Sequence, residues 1–364
     1  MITSVGSLVG QNILDALESR RHQVTLIGLN SVAQNARNFR CDRVYLVPET
    51  KDAESFFPHL LDLLHHEKPD IILPGRDYDV IMLAHLKETY PEFAATICTG
   101  TSYAPRMMFD KYQCYQFATK HGLPFADTLL LGPNDLTGLD SFLTRNSFPL
   151  ICKPRMGFGS HGVRFVTSRE QIEKNAARGE ILLEEYLSPR GDIERHLHDT
   201  SLGTPLFSQI PEETQYAGQT VIKPDGSLPG ICLTNNTNVM GRTEFTEIWE
   251  NQAFRDVVRD YAQALYQVGW CGSLNVQIKP DRQGQWKVFE LSPRHTGSTS
   301  ARLLLGFDEI GILIEAFRPD LAFPNLSSPV RKDMKVYRFL TDATLLNSQV
   351  ISLQQERTWK AEST

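Results

Sequence analysis

Oxygen-bearing side chains recur on alternate residues in the segment Trp270–Arg302. Asn275 and Gln277 alternate before a central turn, and Glu290 and Ser292 alternate after it. Side chains two residues apart on a strand share a face, so a hairpin would gather these four groups. Such a cluster suits a hard cation such as Mg²⁺, which keeps waters and substrate phosphates among its ligands. The alternative interpretation is an ordinary amphipathic hairpin with a solvated polar face.

A second candidate site follows a predicted strand, Phe148–Lys153, which ends in a lysine. The loop after it contains glycines at Gly157, Gly159 and Gly162. Glycine lets backbone N–H groups approach phosphate oxygens closely, and a lysine ammonium supplies a point charge beside them. The alternative is a flexible hairpin loop with a solvated lysine. No G-K-[ST] follows the glycines, so the loop is not a Walker motif.

These segments and two others resemble, in their order, the motifs of the ATP-grasp superfamily. Ser273–Gln277 is similar to S-N-V-Q, and Glu290–Arg294 to E-x-N-P-R, of its carbamoyl phosphate synthetase-like branch. Asp110–Lys111 precedes a predicted helix and resembles the entry to that fold. Glu184–Leu187 resembles the hinge pattern E-E-[YFW]-[LI]. Ser292 departs from the family pattern, which usually has asparagine at that position.

The resemblance implies an ATP site in the first half of this region. Lys111, Lys153 and the glycine-rich loop would bind the phosphates. Four consecutive hinge residues would line the adenine pocket, and their backbone would contact the base: Glu184, Glu185, Tyr186 and Leu187. Asp192 would bind the ribose hydroxyls, and Glu194 is the other candidate for that role.

The resemblance also implies that the hairpin binds Mg²⁺, with Mn²⁺ as a substitute. Gln277 and Glu290 would hold the metal, with Glu290 bridging two ions and Ser292 completing the shell of one. Because a serine hydroxyl is a shorter and weaker ligand, we expect that second position to be looser or completed by water. Arg294 and Lys153 are the predicted catalytic residues, since their charges would stabilise the transferred phosphoryl group.

The pattern of the whole chain predicts an α/β fold that contains an α+β ATP-grasp domain. Residues 1–105 alternate short apolar runs with helical patterns, beginning with a strand at Ile2–Val5, which predicts a Rossmann-like parallel sheet. The ATP-grasp domain would comprise a small lobe at 106–187 and a large lobe at 188–320. A C-terminal extension at 321–364 carries no interpretable motif.

Several residues outside these motifs allow weaker functional interpretations. Gly6 and Gly10 lie at the first strand-to-helix turn, but the incomplete glycine pattern favours a tight turn over a dinucleotide site. Arg76 and Asp77 follow a predicted strand, where they could line a substrate cleft or cap a helix. Arg242 could bind a substrate carboxylate or be solvated.

Composition excludes several classes of protein. The 364 residues carry a net charge of −6 with both signs mixed, so we do not expect nucleic acid as a partner. No apolar run reaches the ~20 residues that span a bilayer. The first residues also lack a secretory signal, which predicts a cytoplasmic protein without membrane contact. Six scattered cysteines indicate reduced thiols, and His196 and His198 lack the further ligands of a metal site.

The resemblance implies a carboxylate–amine ligase that produces ADP. ATP would phosphorylate a substrate carboxylate, and an amine would then displace phosphate to form an amide or peptide bond. The expected partners are small-molecule carboxylate and amine substrates, such as amino acids or a small peptide, and a second copy in a homodimer. One alternative is a nucleotide-binding regulatory protein on a degenerate ATP-grasp scaffold. The departure from the family pattern at Ser292 is the feature that favours this alternative. Another is a dinucleotide-dependent oxidoreductase built on Gly6 and Gly10.

Overall fold

Three β-sheets organise the computed structural model of the chain. A three-stranded sheet with a parallel pair, a four-stranded antiparallel sheet and a six-stranded antiparallel sheet are present. This arrangement confirms the predicted mixed α/β fold. Within the described residues, no helix has the length and apolar character needed to cross a membrane. The structure describes residues 1–133, 135–157, 161–187, 197–198, 201, 213–239, 242–339 and 341–361.

The N-terminal part of the chain builds the parallel sheet. Its elements are α1 (Leu8–Leu17), β1 (Ile27–Asn30), β2 (Arg43–Leu46), α2 (Ala53–Glu67), α3 (Asp77–Thr89) and α4 (Tyr103–Phe109). Strands β1 and β2 run parallel, and Ile2 bridges in parallel to Gly28 on one side and Leu73 on the other. In the predicted strand Ile2–Val5 the bridges are restricted to Ile2, because the chain turns at Ser4, where φ is +47°. The Thr3 and Val5 N–H groups still donate to the Leu73 and Leu29 carbonyls, each at 3.0 Å.

The next elements form a small lobe. They are α5 (Lys111–His121), β3 (Thr128–Leu131), α6 (Leu139–Arg145), β4 (Leu150–Lys153), β5 (Arg164–Val166), α7 (Arg169–Ala176) and β6 (Ile181–Glu185). The strands pair in the order β3-β6-β4-β5. Apolar residues of α6 and α7 pack on one face of this sheet, against Leu150, Cys152 and Leu183. Because side chains alternate along a strand, Lys153 and Glu184 lie on the opposite face.

The six-stranded sheet forms a large lobe. Its elements are β7 (Glu213–Ile222), β8 (Ile231–Val239), β9 (Arg242–Ile248), α8 (Gln252–Gln267), β10 (Gly272–Pro280), β11 (Trp286–Ser292), α9 (Thr299–Leu304) and α10 (Glu309–Phe317). The apolar side of α8, with Phe254, Val258 and Tyr261, packs against buried residues of β10 and β11. The predicted hairpin is confirmed, since β10 and β11 pair antiparallel. The polar face of this hairpin contributes Glu290 and Ser292 to a pocket that Lys111 and Gly157 of the small lobe also line.

The last segment connects two of the sheets. Its elements are β12 (Lys335–Tyr337), α11 (Asn347–Glu356) and β13 (Thr358–Lys360). Strand β12 pairs with β9 at the edge of the large-lobe sheet, and β13 pairs antiparallel with β2 in the N-terminal sheet. Short 3₁₀ helices lie elsewhere in the chain, at Glu18–Gln23, Ala36–Arg40, Pro91–Phe93 and Pro319–Leu321. The C-terminal segment therefore bridges the large lobe and the N-terminal domain.

Polar contacts fix the N-terminal domain against the large lobe. Arg20, after α1, forms a buried ion pair with Asp308 at the start of α10. The Ser300 hydroxyl donates to Asn12 Oδ1 at 2.9 Å. Both contacts join residues that are 288 positions apart. These contacts hold α1 and the segment after it against α9 and α10, which follow the β10–β11 hairpin.

Candidate active site

The hairpin gathers the four oxygen-bearing side chains as the alternation predicts. In the β10–β11 register, Asn275 is opposite Ser292 and Gln277 is opposite Glu290. Residues directly opposite one another in an antiparallel pair have neighbouring side chains on the same face. One carboxylate, two carboxamides and one hydroxyl therefore form a compact cluster on the polar face of the sheet.

A chain of carboxamides orients Gln277 within this cluster. The Asn238 side-chain amide donates to Gln215 Oε1, and the Gln215 amide donates to Gln277 Oε1. Gln219 of the same strand accepts from Asn275 at 3.0 Å. Sequence reasoning missed Gln215 and Gln219, because residues 205 to 248 gave no clear strand pattern. Their even spacing along one strand is the signal that could have placed them on the polar face.

Glu290 provides the test of whether this cluster fits a cation. Among the described residues, its carboxylate has no hydrogen bond and no ion pair, although it is half-buried. A partly buried carboxylate is unfavourable unless a positive charge or donors compensate it. The neighbouring oxygens of Gln277 and Ser292 match the hard-ligand preference of Mg²⁺. The residues present therefore fit a magnesium ion that completes its shell with water and phosphate oxygens.

A lysine and a glutamate form a buried ion pair in the small lobe, and a second lysine, Lys111, lines one pocket with Glu290 and Ser292 of the hairpin. Lys153 Nζ lies 2.5 Å from Glu184 Oε2, and both side chains are about one-twentieth exposed. Burial raises the pKa of Glu184, while the nearby Lys153 and Lys111 ammonium groups oppose that rise. The structure thus places Lys153 beside the predicted hinge, with Glu184 holding its side chain in the cleft.

Lys111 lies at the base of the predicted phosphate loop. Its Nζ donates to the Gly157 carbonyl at 2.8 Å, and its backbone N–H donates to the Arg155 carbonyl at 3.1 Å. Asp110 caps α5 and also forms an ion pair with Arg155 at 2.8 Å. The other loop glycine in the described residues, Gly162, has φ of +78°, which favours glycine. Gly159 lies outside the described residues.

The hinge strand is fixed by contacts on the face opposite Glu184. Glu185 Oε1 accepts from Lys287 Nζ at 2.6 Å and from the Asp127 N–H at 2.7 Å. The Glu185 N–H donates to the Asp127 carbonyl at 3.0 Å. An adenine base bound at the hinge would therefore have to hydrogen-bond to other backbone groups of this segment. Glu185 and Tyr186 line a polar cavity of about 580 Å³, and Leu187 is buried. Asp192 lies outside the described residues.

Arg294 is bound by a residue of the N-terminal domain. Its Nε and Nη2 donate to the two carboxylate oxygens of Asp77, each at 2.9 Å. Burial disfavours the charged guanidinium, but Asp77 and then Glu290 outweigh this effect and raise the pKa of Arg294. Sequence reasoning left Asp77 as either a cleft residue or a helix cap and gave it no partner; the structure places it in the first turn of α3. The pair joins residues 217 positions apart, and no local pattern reveals such a contact.

The weaker candidates have structural roles or lie beyond what the structure describes. A Cβ at Gly10 would lie 2.4 Å from the Val5 carbonyl oxygen, so this glycine permits close packing of α1. None of the six cysteines, all of them described residues, forms a disulfide. Within the described residues, no group of three His, Cys, Asp or Glu side chains could hold a metal. The Arg242 side chain and His196 lie outside the described residues.

A buried network supports the loop that follows Arg294. His295 Nδ1 lies 2.9 Å from Glu309 Oε1, and Arg302 Nε donates to Glu309 Oε2 at 2.5 Å. All three side chains are about 1% exposed. Burial alone would raise the pKa of Glu309, but Arg302 and His295 lower it to about 2. The ionised form of Glu309 is therefore strongly favoured in the folded protein.

This network predicts a pH-dependent contribution to stability. Because the folded pKa of Glu309 is about 2 and its ordinary value is 4.5, the contribution is complete above pH 4.5 and is lost as the pH falls toward 2. We expect the stability difference between native protein and Glu309→Gln to shrink by about 2 kcal/mol between pH 7 and pH 3. Urea unfolding of both proteins at the two pH values measures it, and an unchanged difference would contradict it.

Comparison with solved structures identifies the fold. N5-carboxyaminoimidazole synthetase from Staphylococcus aureus, complexed with ADP, has a TM-score of 0.65 and 14% identity, covering 87% of this chain and 76% of its own. Biotin carboxylase from Campylobacter jejuni has a TM-score of 0.63 and 14% identity, with coverage of 90% and 71%. An L-amino acid ligase from Bacillus licheniformis has a TM-score of 0.59 and 14% identity, with coverage of 84% and 71%.

Comparison with curated sequences gives shorter matches. The D-alanine–D-alanine ligase of Bacteroides fragilis is 27% identical over 95 residues, which are 25% of this chain and 29% of the ligase. The chain thus matches less than a third of that relative. No protein-family model matches the sequence. The solved structures show that the chain has the predicted ATP-grasp fold.

Proposed function

We propose that the protein is an ATP-dependent carboxylate–amine ligase, which forms an amide or peptide bond and releases ADP and phosphate. The observation that carries the proposal is the Glu290 carboxylate, which has no partner within the described part of the chain and lies among oxygen-bearing side chains on the polar face of the hairpin. Lys111 of the small lobe lines the same pocket as Glu290. The division into domains at 1–105, 106–187, 188–320 and 321–364 is part of the same proposal.

The nucleotide would lie between the two lobes. Lys111, Lys153 and the Gly157–Gly162 loop would bind its phosphates, because the ammonium groups and the turned backbone offer charge and N–H donors. The hinge at 184–187 would contact adenine, with Asp192 on the ribose. The hydrogen bond from Lys111 Nζ to the Gly157 carbonyl supports this role, because it brings the lysine next to the start of the glycine-rich loop.

Gln277, Glu290 and Ser292 would hold magnesium, which supplies charge neutralisation to the phosphates when it is bound. This donor set contains one formal negative charge. We therefore expect the metal to bind much more tightly with a nucleotide than alone, because phosphate oxygens complete its shell. Arg294 would stabilise negative charge on the transferred phosphoryl group, and Asp77 fixes the plane of its guanidinium.

The proposed reaction needs positioning and charge neutralisation from the protein rather than covalent chemistry. A carboxylate oxygen of the acid substrate attacks the γ-phosphorus, and the bond to the ADP oxygen breaks. The amine nitrogen then attacks the resulting acyl phosphate, phosphate departs, and the amine loses a proton to solvent. Lys111 and Lys153 hold the phosphates during the first step, and the lobes limit the access of water.

The L-amino acid ligase among the similar structures and the D-alanine–D-alanine ligase among the sequences support amino acids as the substrates. The proposed partners are thus a small carboxylic acid and a small amine, with an amino acid or short peptide in one or both positions. A homodimer and a cytoplasmic location stay predictions from the sequence.

Nucleotide product analysis tests this function. The protein is incubated with Mg²⁺, ATP and pools of amino acids and dipeptides, and the pools are then omitted one at a time. We expect ADP and phosphate to accumulate with one acid–amine combination, together with a product of the summed mass less water. AMP and pyrophosphate would contradict the proposed chemistry. Tight ATP binding without turnover on any pool would favour the regulatory alternative.

A further inference from the structure

Arg294 lies between two carboxylates that belong to different parts of the fold. Asp77, the first residue of α3, accepts two parallel hydrogen bonds from the guanidinium at 2.9 Å each. The remaining nitrogen, Nη1, donates to the His295 carbonyl at 3.1 Å. Glu290 precedes Arg294 by four residues and contributes to its raised pKa, but the two side chains are not within ion-pair distance.

The Asp77 and Glu290 carboxylates differ in the hydrogen bonds and ion pairs that they form. Asp77 has a bidentate partner, which is the strongest common geometry for a carboxylate and an arginine. Glu290 has no hydrogen bond or ion pair among the described residues, although Asp77, Glu290 and Ser292 line one pocket. Arg294 is 15% exposed, so a loss of Asp77 would leave a mostly buried guanidinium without its ion-pair partner. Glu290, which lines the same pocket as Asp77 and acts electrostatically on Arg294, is then an available acceptor on the same segment.

We propose that Asp77 keeps Arg294 away from Glu290 and so keeps the Glu290 carboxylate available for a divalent cation. Asp77 is thus a positioning residue, supplied by the N-terminal domain to the metal site of the ATP-grasp domain. The inference rests on the proposed function, in which Glu290 is a metal ligand. It adds that domain docking determines whether the metal site is open, because the Asp77–Arg294 pair crosses the interface.

Manganese binding, rather than turnover, tests this inference. Mn²⁺ is titrated into the whole protein at saturating ADP, and bound metal is measured by electron paramagnetic resonance. We expect Asp77→Asn to weaken Mn²⁺ binding by about tenfold, because the cation must displace the Arg294–Glu290 pair. Asp77→Glu, which keeps the charge, should bind nearly as the native protein does. Thermal unfolding checks that each variant is folded.

The double variant Asp77→Asn, Arg294→Gln separates positioning from a structural role. If the released guanidinium is what blocks Glu290, its removal should restore Mn²⁺ binding to at least the native level. If Asp77 only stabilises the fold, the double variant should bind as weakly as Asp77→Asn or more weakly, and that result would overturn the inference. Unchanged binding in Asp77→Asn would overturn it too. Native protein that binds no Mn²⁺ with ADP would instead reject the proposed metal site itself.

Discussion

Replacing Glu290 with glutamine is expected to reduce metal-dependent ADP formation by about a thousandfold. The substitution keeps the size of the side chain but removes the formal negative charge from the oxygen cluster on β10 and β11. Gln277 and Ser292 are neutral, so no other ligand in the proposed set replaces that charge. Because the Glu290 carboxylate has no hydrogen-bond or ion-pair partner among the residues that the structure describes, we expect stability to change little. Steady-state kinetics at saturating Mg²⁺, with urea unfolding, measure both effects.

A glutamate far from the cleft provides the matched control. Glu170 lies on the exposed surface of α7 and pairs with Lys174, and both side chains are 73% exposed. Glu170→Gln should keep native turnover, because an exposed pair of this kind contributes less than about 1 kcal/mol. Near-native turnover in a folded Glu290→Gln protein would exclude the hairpin as the metal site.

Replacing Lys153 with methionine is expected to destabilise the protein by about 3–5 kcal/mol and to abolish measurable ATP binding. The stability loss follows because Glu184 would remain buried without its partner, which is 2.5 Å away in the native protein. Burial already raises the pKa of Glu184, so the variant is expected to take up a proton at that residue. The binding loss follows from removal of a phosphate-binding charge. Urea unfolding and calorimetry with ATP measure the two effects.

The double variant Lys153→Met, Glu184→Gln distinguishes the two roles of this lysine. Neutralising Glu184 removes the buried unpaired charge, so most of the lost stability should return. ATP binding should stay absent, because the phosphate-binding charge is still missing. If the double variant regains ATP binding along with its stability, Lys153 has a structural role only, and the proposed phosphate site is wrong.

The hairpin was predictable because its chemistry is local and periodic. Alternation alone placed Asn275 on the same face as Gln277, and Glu290 on the same face as Ser292. The residues of the turn between two adjacent strands determine how those strands pair. The N-terminal parallel sheet was also predictable from alternating apolar runs. Its first strand was predicted too long, because the turn at Ser4 interrupts the regular ladder after Ile2. Nothing in the composition of Ile2–Val5 indicates that turn.

Contacts between distant segments were not predictable in the same way. Asp77 and Arg294 are 217 positions apart, and tertiary packing between distant parts of the chain brings them together. Gln215 orients Gln277 across a strand pair whose register is set by tertiary structure rather than by a short turn. A single sequence identifies which side chains have the chemistry to bind a metal or a phosphate. It does not reveal which of them already have partners, and that difference separates Glu290 from Asp77.

Oxygen transfer from the substrate tests the central claim most directly. Once a productive acid is known, its carboxylate is labelled with ¹⁸O and incubated with the protein, Mg²⁺-ATP and the amine. We predict that one ¹⁸O atom appears in the released phosphate for each amide bond formed, because the carboxylate oxygen that attacks the γ-phosphorus leaves with it. Amide formation with unlabelled phosphate would contradict the acyl-phosphate route. Label in AMP would show that the carboxylate is activated as an adenylate instead.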